Sequence, residues 1–246
     1  MRKRQLLATD LDGTFIGDDT AMAALWEDLE HAGVVVAFST GRHLPSIEQF
    51  YRETGTPHRA DACICMVGTE IWHRSSDGYE KDRGWAEVIA DGWDKQGVEA
   101  ILGAIPEAVM QPEEWQSPFK SSYFLEANAP ERVAHLREDL DRAGLNAKVV
   151  YSAGRFLDLL PHRSGKGGAV AYLAEQLGVA PDDVVTAGDT GNDLDMMRPE
   201  LGFRAIAVGN AAEELRAFDT AGLYHAQAPY AAGIREGLVH HGFLEV

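Results

Sequence analysis

Near its start the chain runs Leu6-Leu7-Ala8-Thr9 and then breaks into Asp10-Leu11-Asp12-Gly13-Thr14. An apolar run of strand length that ends in two carboxylates and a glycine puts polar groups at the carboxyl end of a strand, where open α/β sheets carry their chemistry. Side chains alternate across an extended segment, so Asp10 and Asp12 are expected to point the same way. Paired carboxylates suit a hard cation held by oxygen ligands. They also suit a division of labour between a nucleophile and a general acid/base.

The rest of the chain repeats this pattern. Thr20 to His31 reads as an amphipathic helix, with Met22, Leu25, Trp26 and Leu29 on one stripe, Thr20 as N-cap and Gly33 as the C-terminal stop. Val34 to Phe38 is a continuous apolar run, as in a strand covered on both faces, and it ends in Ser39-Thr40-Gly41-Arg42. A helix over Leu44 to Thr54 and a strand over Ala62 to Val67 follow, the latter running into Gly68-Thr69-Glu70-Ile71-Trp72. Strand and helix in alternation predict a parallel sheet with right-handed crossovers. Near Tyr79 the buried runs stop. Helices are expected over Val88 to Leu102 and Pro130 to Ala143, with strands over Ser121 to Leu125, Ala147 to Ser152 and Phe156 to Pro161. The sheet pattern then resumes with a helix over Lys166 to Leu177 and a strand over Val184 to Ala187 that ends in Gly188-Asp189-Thr190-Gly191-Asn192-Asp193. A further strand, Ala205 to Val208, ends in Gly209-Asn210, with helices expected over Ala212 to Phe218 and Gly233 to His240. The fold class is thus α/β, a Rossmann-like parallel sheet core formed by 1–79 and 161–246, with an α+β domain, 80–160, inserted in it.

Charge narrows the partners. Among 246 residues, 39 are acidic and 22 basic, a formal net charge of −17. Such a surface repels nucleic acid and anionic membranes. It would repel an anionic substrate too, unless the site is locally positive or holds a metal. No stretch approaches the roughly 20 apolar residues of a membrane span. The basic start, Met1 to Gln5, is followed by an apolar run too short for an export signal, so the expectation is cytoplasmic. Cys63 and Cys65 share one strand face, cannot bridge each other there, and are expected to be buried free thiols.

If the strands are parallel, Asp10/Asp12, Ser39 to Arg42, Gly188 to Asp193 and Gly209-Asn210 meet along one edge, with Lys166 opening a helix close by. Carboxylates, a hydroxyl, a lysine and glycine-freed amides make a coherent phosphoryl-transfer site. A carboxylate attacks phosphorus, Mg2+ neutralises charge on the transferring oxygens, lysine and hydroxyl hold them, and a second carboxyl protonates the leaving alkoxide and then activates water.

In order and in role, DLDGT, the Thr-Gly motif, the isolated lysine and GDTGND resemble the haloacid dehalogenase superfamily, over the whole chain. The insertion after the third strand resembles the subclass with a large α/β cap. The resemblance makes Asp10 the nucleophile and Asp12 the acid/base, which also gives the metal its backbone carbonyl. It makes Thr40 and Lys166 phosphate binders, Asp189 a further metal ligand, Asp193 the residue that orients metal-bound water, and Asn192 either a phosphate-side group or one that supports the residues that are. Gly41 and Asn210, at polar strand ends, are further candidates for binding phosphate or substrate. Three stretches, Gly68 to His73, Ser117 to Tyr123, and Asp158-Leu159-Leu160-Pro161 ahead of Ser164 to Gly167, resemble the sucrose-phosphatase-like enzymes. In that group Glu70 and Lys120 would reach sugar hydroxyls, whereas Arg42 would either bind substrate or pair with an acid. The implied activity is removal of phosphate from a disaccharide phosphate, sucrose 6-phosphate first, then mannosylfructose phosphate, then a glucosylglycerol- or glucosylglycerate-type phosphate. A phosphomutase, or a non-catalytic sugar-phosphate-binding module associated with a sugar-phosphate synthase, are the rival classes.

Overall fold

The computed structural model describes residues 3–126 and 129–245. These residues form two compact units, one from 3–82 with 166–245 and the other Arg83–Gly165. Both junctions lie a few residues beyond the expected 79/80 and 160/161. The reason is that a hairpin ending at Lys81 completes the first unit's sheet, while the strand ending at Pro161 belongs to the second unit's sheet.

In the first unit, β1 (Leu6–Thr9), α1 (Asp19–Ala32), β2 (Val35–Ser39), α2 (Leu44–Thr54) and β3 (Ala62–Cys65) alternate as expected. The chain then turns back into β4 (Glu70–Ser75) and β5 (Gly78–Lys81), which pair antiparallel, a hairpin the parallel pattern does not predict. The inserted unit contains α3 (Arg83–Ala90), α4 (Lys95–Leu102), β6 (Val109–Met110), β7 (Ser121–Phe124), α5 (Ala129–Arg142), β8 (Ala147–Ser152) and β9 (Phe156–Pro161). Its strands pair antiparallel in the order β6-β7-β9-β8 over a core that includes Leu102, Leu136 and Leu157. The single helix expected over 88–102 is two, because Asp94 caps a new start by accepting from the Gly97 amide at 2.9 Å.

The first unit is completed by α6 (Lys166–Leu177), β10 (Val184–Gly188), β11 (Arg204–Ala207), α7 (Glu213–Arg216), β12 (Leu223–His225) and α8 (Tyr230–His240). Among the described residues its sheet has the order β12-β11-β10-β1-β2-β3-β4-β5, parallel from β12 to β3. The nucleophile candidate therefore follows a central strand. Leu7, Val36, Phe38 and Val185 face a core shared with Leu25 and Leu29 of α1, Ile47 of α2 and Ile234 of α8. Phe15, Trp26 and Phe38 meet edge to face there, with centroids 5.0–5.9 Å apart. Helix α1 is capped by Asp18, not Thr20. The amides of Thr20 and Ala21 are the ones left without helical partners, and the Asp18 carboxylate takes both at 3.0 Å. Gly33 ends it at φ 68° as expected. Cys63 and Cys65 are buried free thiols, and burial pushes Cys63 up to about 12. Among the described residues no helix is long and apolar enough to cross a membrane.

Candidate active site

The carboxyl ends of β1, β2, β10 and β11 line one edge of the first unit's sheet. Asp10 follows the last residue of β1; its amide donates to the Ala187 carbonyl of β10 at 2.9 Å and the residue is buried. Lys166 opens α6 fully buried, and its Nζ donates at 2.6 Å both to Asp10 Oδ1 and to Asp193 Oδ1. Asp193 is held in turn by the amides of Asp189 and Thr190, each 3.0 Å from its Oδ2. Thr190 and Asp193 form a reciprocal capping box over the short helix Gly191–Met196. Asp189 Oδ1 accepts from Thr14 Oγ1 at 3.0 Å. Gly13 makes this approach possible: it sits at φ 78°, and a Cβ there would lie 2.4 Å from Asp189 Oδ2.

Carboxylate oxygens of Asp10, Asp189 and Asp193 lie within 4.8 Å of one another. Burial raises Asp10 to about 7, and the charge of Asp193 adds to this against the opposing effect of Lys166. Burial and then Asp193 raise Asp189 to about 6, while the Thr14 hydrogen bond works the other way. Burial also disfavours the Lys166 ammonium, but Asp10 and Asp193 outweigh it and hold its pKa above that of an ordinary lysine. Three carboxylates around one ammonium are short of positive charge. A hard divalent cation taking oxygen ligands fits this donor set.

Asp12 is not part of the cluster. The ladder of β1 ends at Thr9, and residues 11–16 turn back on themselves, with the Phe15 and Ile16 amides donating to Leu11 O. Strand alternation therefore does not carry through, and the Asp12 carboxylate is bonded to Arg42 rather than to Lys166. Its carboxylate, 56% exposed, accepts from Arg42 Nε at 2.7 Å and Nη2 at 2.5 Å. Of the two roles open to Arg42, the structure has it paired with an acid. Thr40 is buried, and its Oγ1 accepts the Arg42 amide at 3.2 Å, with Gly41 between them in the same loop. Asn192 Oδ1 accepts from Thr190 Oγ1 at 3.0 Å. Asn210 is a strut rather than an open phosphate-side group: Nδ2 donates to Gly13 O at 2.7 Å and Oδ1 accepts the Tyr230 amide at 2.9 Å. Both sugar-reaching candidates already have partners within their own units. Glu70 accepts from Lys81 Nζ at 2.6 Å and Trp72 Nε1 at 3.1 Å. Lys120 is buried in the inserted unit, 3.3 Å from both Asp158 Oδ1 and Trp115 O, and Asp158 also accepts from Ser122 Oγ at 2.6 Å.

Sequence reasoning missed Thr14, Thr190, and the pair Met66 and Val67. Thr190 had a signal, since Thr-x-x-Asp is a capping-box spacing. Met66 and Val67 had none. They sit at φ 53° and 59°, a region uncommon for any residue with a Cβ and most unusual for a β-branched one. Their amides donate to Arg42 O at 2.9 Å and Thr40 O at 3.1 Å, so the strained turn carries the Thr40 to Arg42 loop.

A family model described as sucrose-6F-phosphate phosphohydrolase matches residues 3–242. The chain belongs to the sucrose-6F-phosphate phosphohydrolase family. A solved sugar phosphatase of the HAD superfamily shares the fold, with a TM-score of 0.68 at 16% identity. The chain is 33% identical to a mannosylfructose-phosphate phosphatase of Agrobacterium fabrum, over 98% of each protein. It is 33% identical to sucrose-phosphatase 1 of Nicotiana tabacum over 96% of this chain, which spans 59% of the tobacco protein. A crystal structure of the sucrose-phosphatase from Synechocystis, in complex with sucrose and phosphate, superposes with a TM-score of 0.89 at 32% identity, covering 98% of this chain and 99% of that one.

Proposed function

We propose that this chain is a Mg2+-dependent phosphohydrolase that removes phosphate from a disaccharide phosphate, sucrose 6-phosphate first, through an aspartyl phosphate. The observation that carries the reading is the buried Asp10–Lys166–Asp193 group beside Asp189, in a chain matched by its family over 3–242. An Asp10 oxygen attacks phosphorus and the bond to the sugar oxygen breaks, with Asp12 giving the leaving oxygen its proton. Water then attacks the phosphoryl group, Asp12 takes its proton, and the bond from Asp10 to phosphorus breaks. General acid–base help of this kind contributes roughly 10²–10⁴-fold. Lys166, Thr40 and the Gly41 amide hold the phosphoryl oxygens, with Asn192 on the same side. Asp10, Asp189 and Asp193, with the backbone carbonyl of Asp12, would hold Mg2+. When bound, the ion offsets the local excess of carboxylate and the charge on the transferring oxygens.

Sugar recognition falls to Glu70 and Lys120, each exchanging one of its present bonds for a hydroxyl. Sites that bond hydroxyls discriminate strongly, because the wrong ligand leaves their polar groups unpaired. The relative from Agrobacterium fabrum, 33% identical over 98% of each protein, supports mannosylfructose phosphate as the alternative substrate. A phosphate-release screen decides. Sucrose 6-phosphate, mannosylfructose phosphate, glucosylglycerol phosphate and the monosaccharide phosphates are compared with Mg2+ and after chelation. The expected result is metal-dependent release with the highest kcat/KM on sucrose 6-phosphate. Equal rates on monosaccharide phosphates would overturn the substrate assignment, and full activity after chelation would overturn the metal.

A further inference from the structure

The Arg42–Asp12 contact has a geometry that its stability contribution does not explain. Both partners are partly exposed, 26% and 56%, and exposed ion pairs add little to stability. Yet the arginine's backbone is fixed on both sides. Its amide donates to Thr40 Oγ1 at 3.2 Å, and its carbonyl accepts at 2.9 Å from Met66, one of two consecutive left-handed residues. Two parallel N–H···O bonds, from Nε and Nη2, fix both the plane and the rotation of the Asp12 carboxylate. Each oxygen keeps a second lone pair free to accept.

We infer that Arg42 is a positioning residue for the hydrolytic half of the reaction, fixing the Asp12 carboxylate as the acceptor of the attacking water's proton. The inference rests on the acid/base role proposed for Asp12. In that step the water oxygen bonds to phosphorus, the Asp10–phosphorus bond breaks with its electron pair returning to the Asp10 carboxylate, and the water's proton passes to Asp12. Nε and Nη2 are engaged at Asp12, and in the proposed reaction the phosphoryl oxygens already have Lys166, Thr40 and the Gly41 amide. Arg42 therefore acts on the second step and not on phosphate binding.

The test is rapid-mixing kinetics of the Mg2+-loaded enzyme with p-nitrophenyl phosphate, whose good leaving group makes the first step insensitive to an acid. Arg42→Ala is expected to release a burst of about one p-nitrophenol per chain, then turn over ten- to a hundredfold more slowly than wild type, with covalent phosphate trapped on acid quench. Arg42→Lys should recover part of the steady-state rate. In the Asp12→Ala background, Arg42→Ala should cost nothing further, because the two residues act as one unit. A slower first turnover without a burst, or weaker inhibition by inorganic phosphate in Arg42→Ala, would overturn the inference in favour of phosphate binding. A further loss in the double variant would overturn it as well. If Asp12→Ala alone leaves both steps intact, the acid/base reading itself fails, an outcome distinct from the others. A merely structural role would slow both steps together and lower Tm.

Discussion

Stripping divalent metal from this protein should make its stability fall as pH rises from about 4 to about 7. Asp10 titrates near 7 in the folded chain against 3.8 for an ordinary aspartate. The folded state then binds a proton that the unfolded chain has already released. Stability is fully present below the unfolded value and is lost as pH climbs through the folded one. A shift of about three units, at ~1.36 kcal/mol per unit, sets an upper bound of about 4 kcal/mol at pH 7–8. Asp189, raised to about 6, acts in the same direction and window, but it is only partly buried and solvent screens it. The value for Asp10 already includes the opposing pull of Lys166, 2.6 Å away. A cation on the same carboxylates competes with these protons. Mg2+ should therefore stabilise little at pH 5 and substantially at pH 8. Urea unfolding at 25 °C with chelator or with Mg2+, from pH 5 to pH 8, measures both curves. Calorimetric titration with Mg2+ in two buffers of different protonation enthalpy gives the protons released, between about one and two per ion near pH 6 and vanishing above pH 8. A chelated protein whose stability rises through this window, or a Mg2+ gain equal at pH 5 and 8, would refute the reasoning.

Asp10→Asn keeps the shape but not the nucleophile and should abolish turnover. Retention of more than about a tenth of wild-type kcat, a barrier change under ~1.4 kcal/mol, would remove Asp10 from that role once deamidation is excluded by mass spectrometry. Gly13→Ala places a methyl 2.4 Å from Asp189 Oδ2 at φ 78° and should weaken Mg2+ binding at least tenfold by titration calorimetry; unchanged affinity would count against Asp189 as a ligand. Replacing Mg2+ with Ca2+ should suppress phosphate release, because Ca2+ takes more ligands at longer distance and engages carboxylates in both oxygens; comparable rates with the two ions would contradict this. Lys120→Ala leaves Asp158 buried without its cation and should cost about 3–5 kcal/mol in urea unfolding. Lys120→Met combined with Asp158→Leu should recover most of that, and a single-variant loss under about 1 kcal/mol would show that the pair is not desolvated.

What could be read from the residues was whatever local pattern controls. Helix α6 begins at Lys166 and ends before Gly178 as expected, and α2 has the expected ends, because apolar spacing and glycine stops act within a few residues. Asp10, Lys166, Asp189 and Asp193 come together because parallel strands bring their carboxyl ends to one edge. The partner of Asp12 was not legible because alternation holds only inside a hydrogen-bonded ladder, and that ladder stops at Thr9. The β4–β5 return had a turn signal, Asp77-Gly78 at the Ser76-Asp77 turn, but Glu70 to Ser75 lacks the clean apolar–polar alternation that marks a hairpin strand. The burial of Lys120 was not legible in its own stretch, Ser117 to Ser122. The partner that permits its burial sits on another strand, and no local pattern announces that. Left-handed Met66 and Val67 are imposed by tertiary contacts with the Thr40 loop, and their side chains would argue for extended backbone.

The strut through Asn210 sets the order in which this protein becomes competent during its synthesis. Gly13, directly after the Asp10–Asp12 segment, has its carbonyl held by a side chain 197 positions later, and that side chain is held in turn by the Tyr230 amide at the start of α8. The lysine on Asp10 itself comes 156 positions after it. At about 5–20 residues per second, the ribosome makes the first-strand loop roughly 10–40 s before the asparagine that secures it exists. Over that interval the nascent chain carries Asp10 without the frame that holds its loop, and the framed site forms only after α8 has emerged and docked.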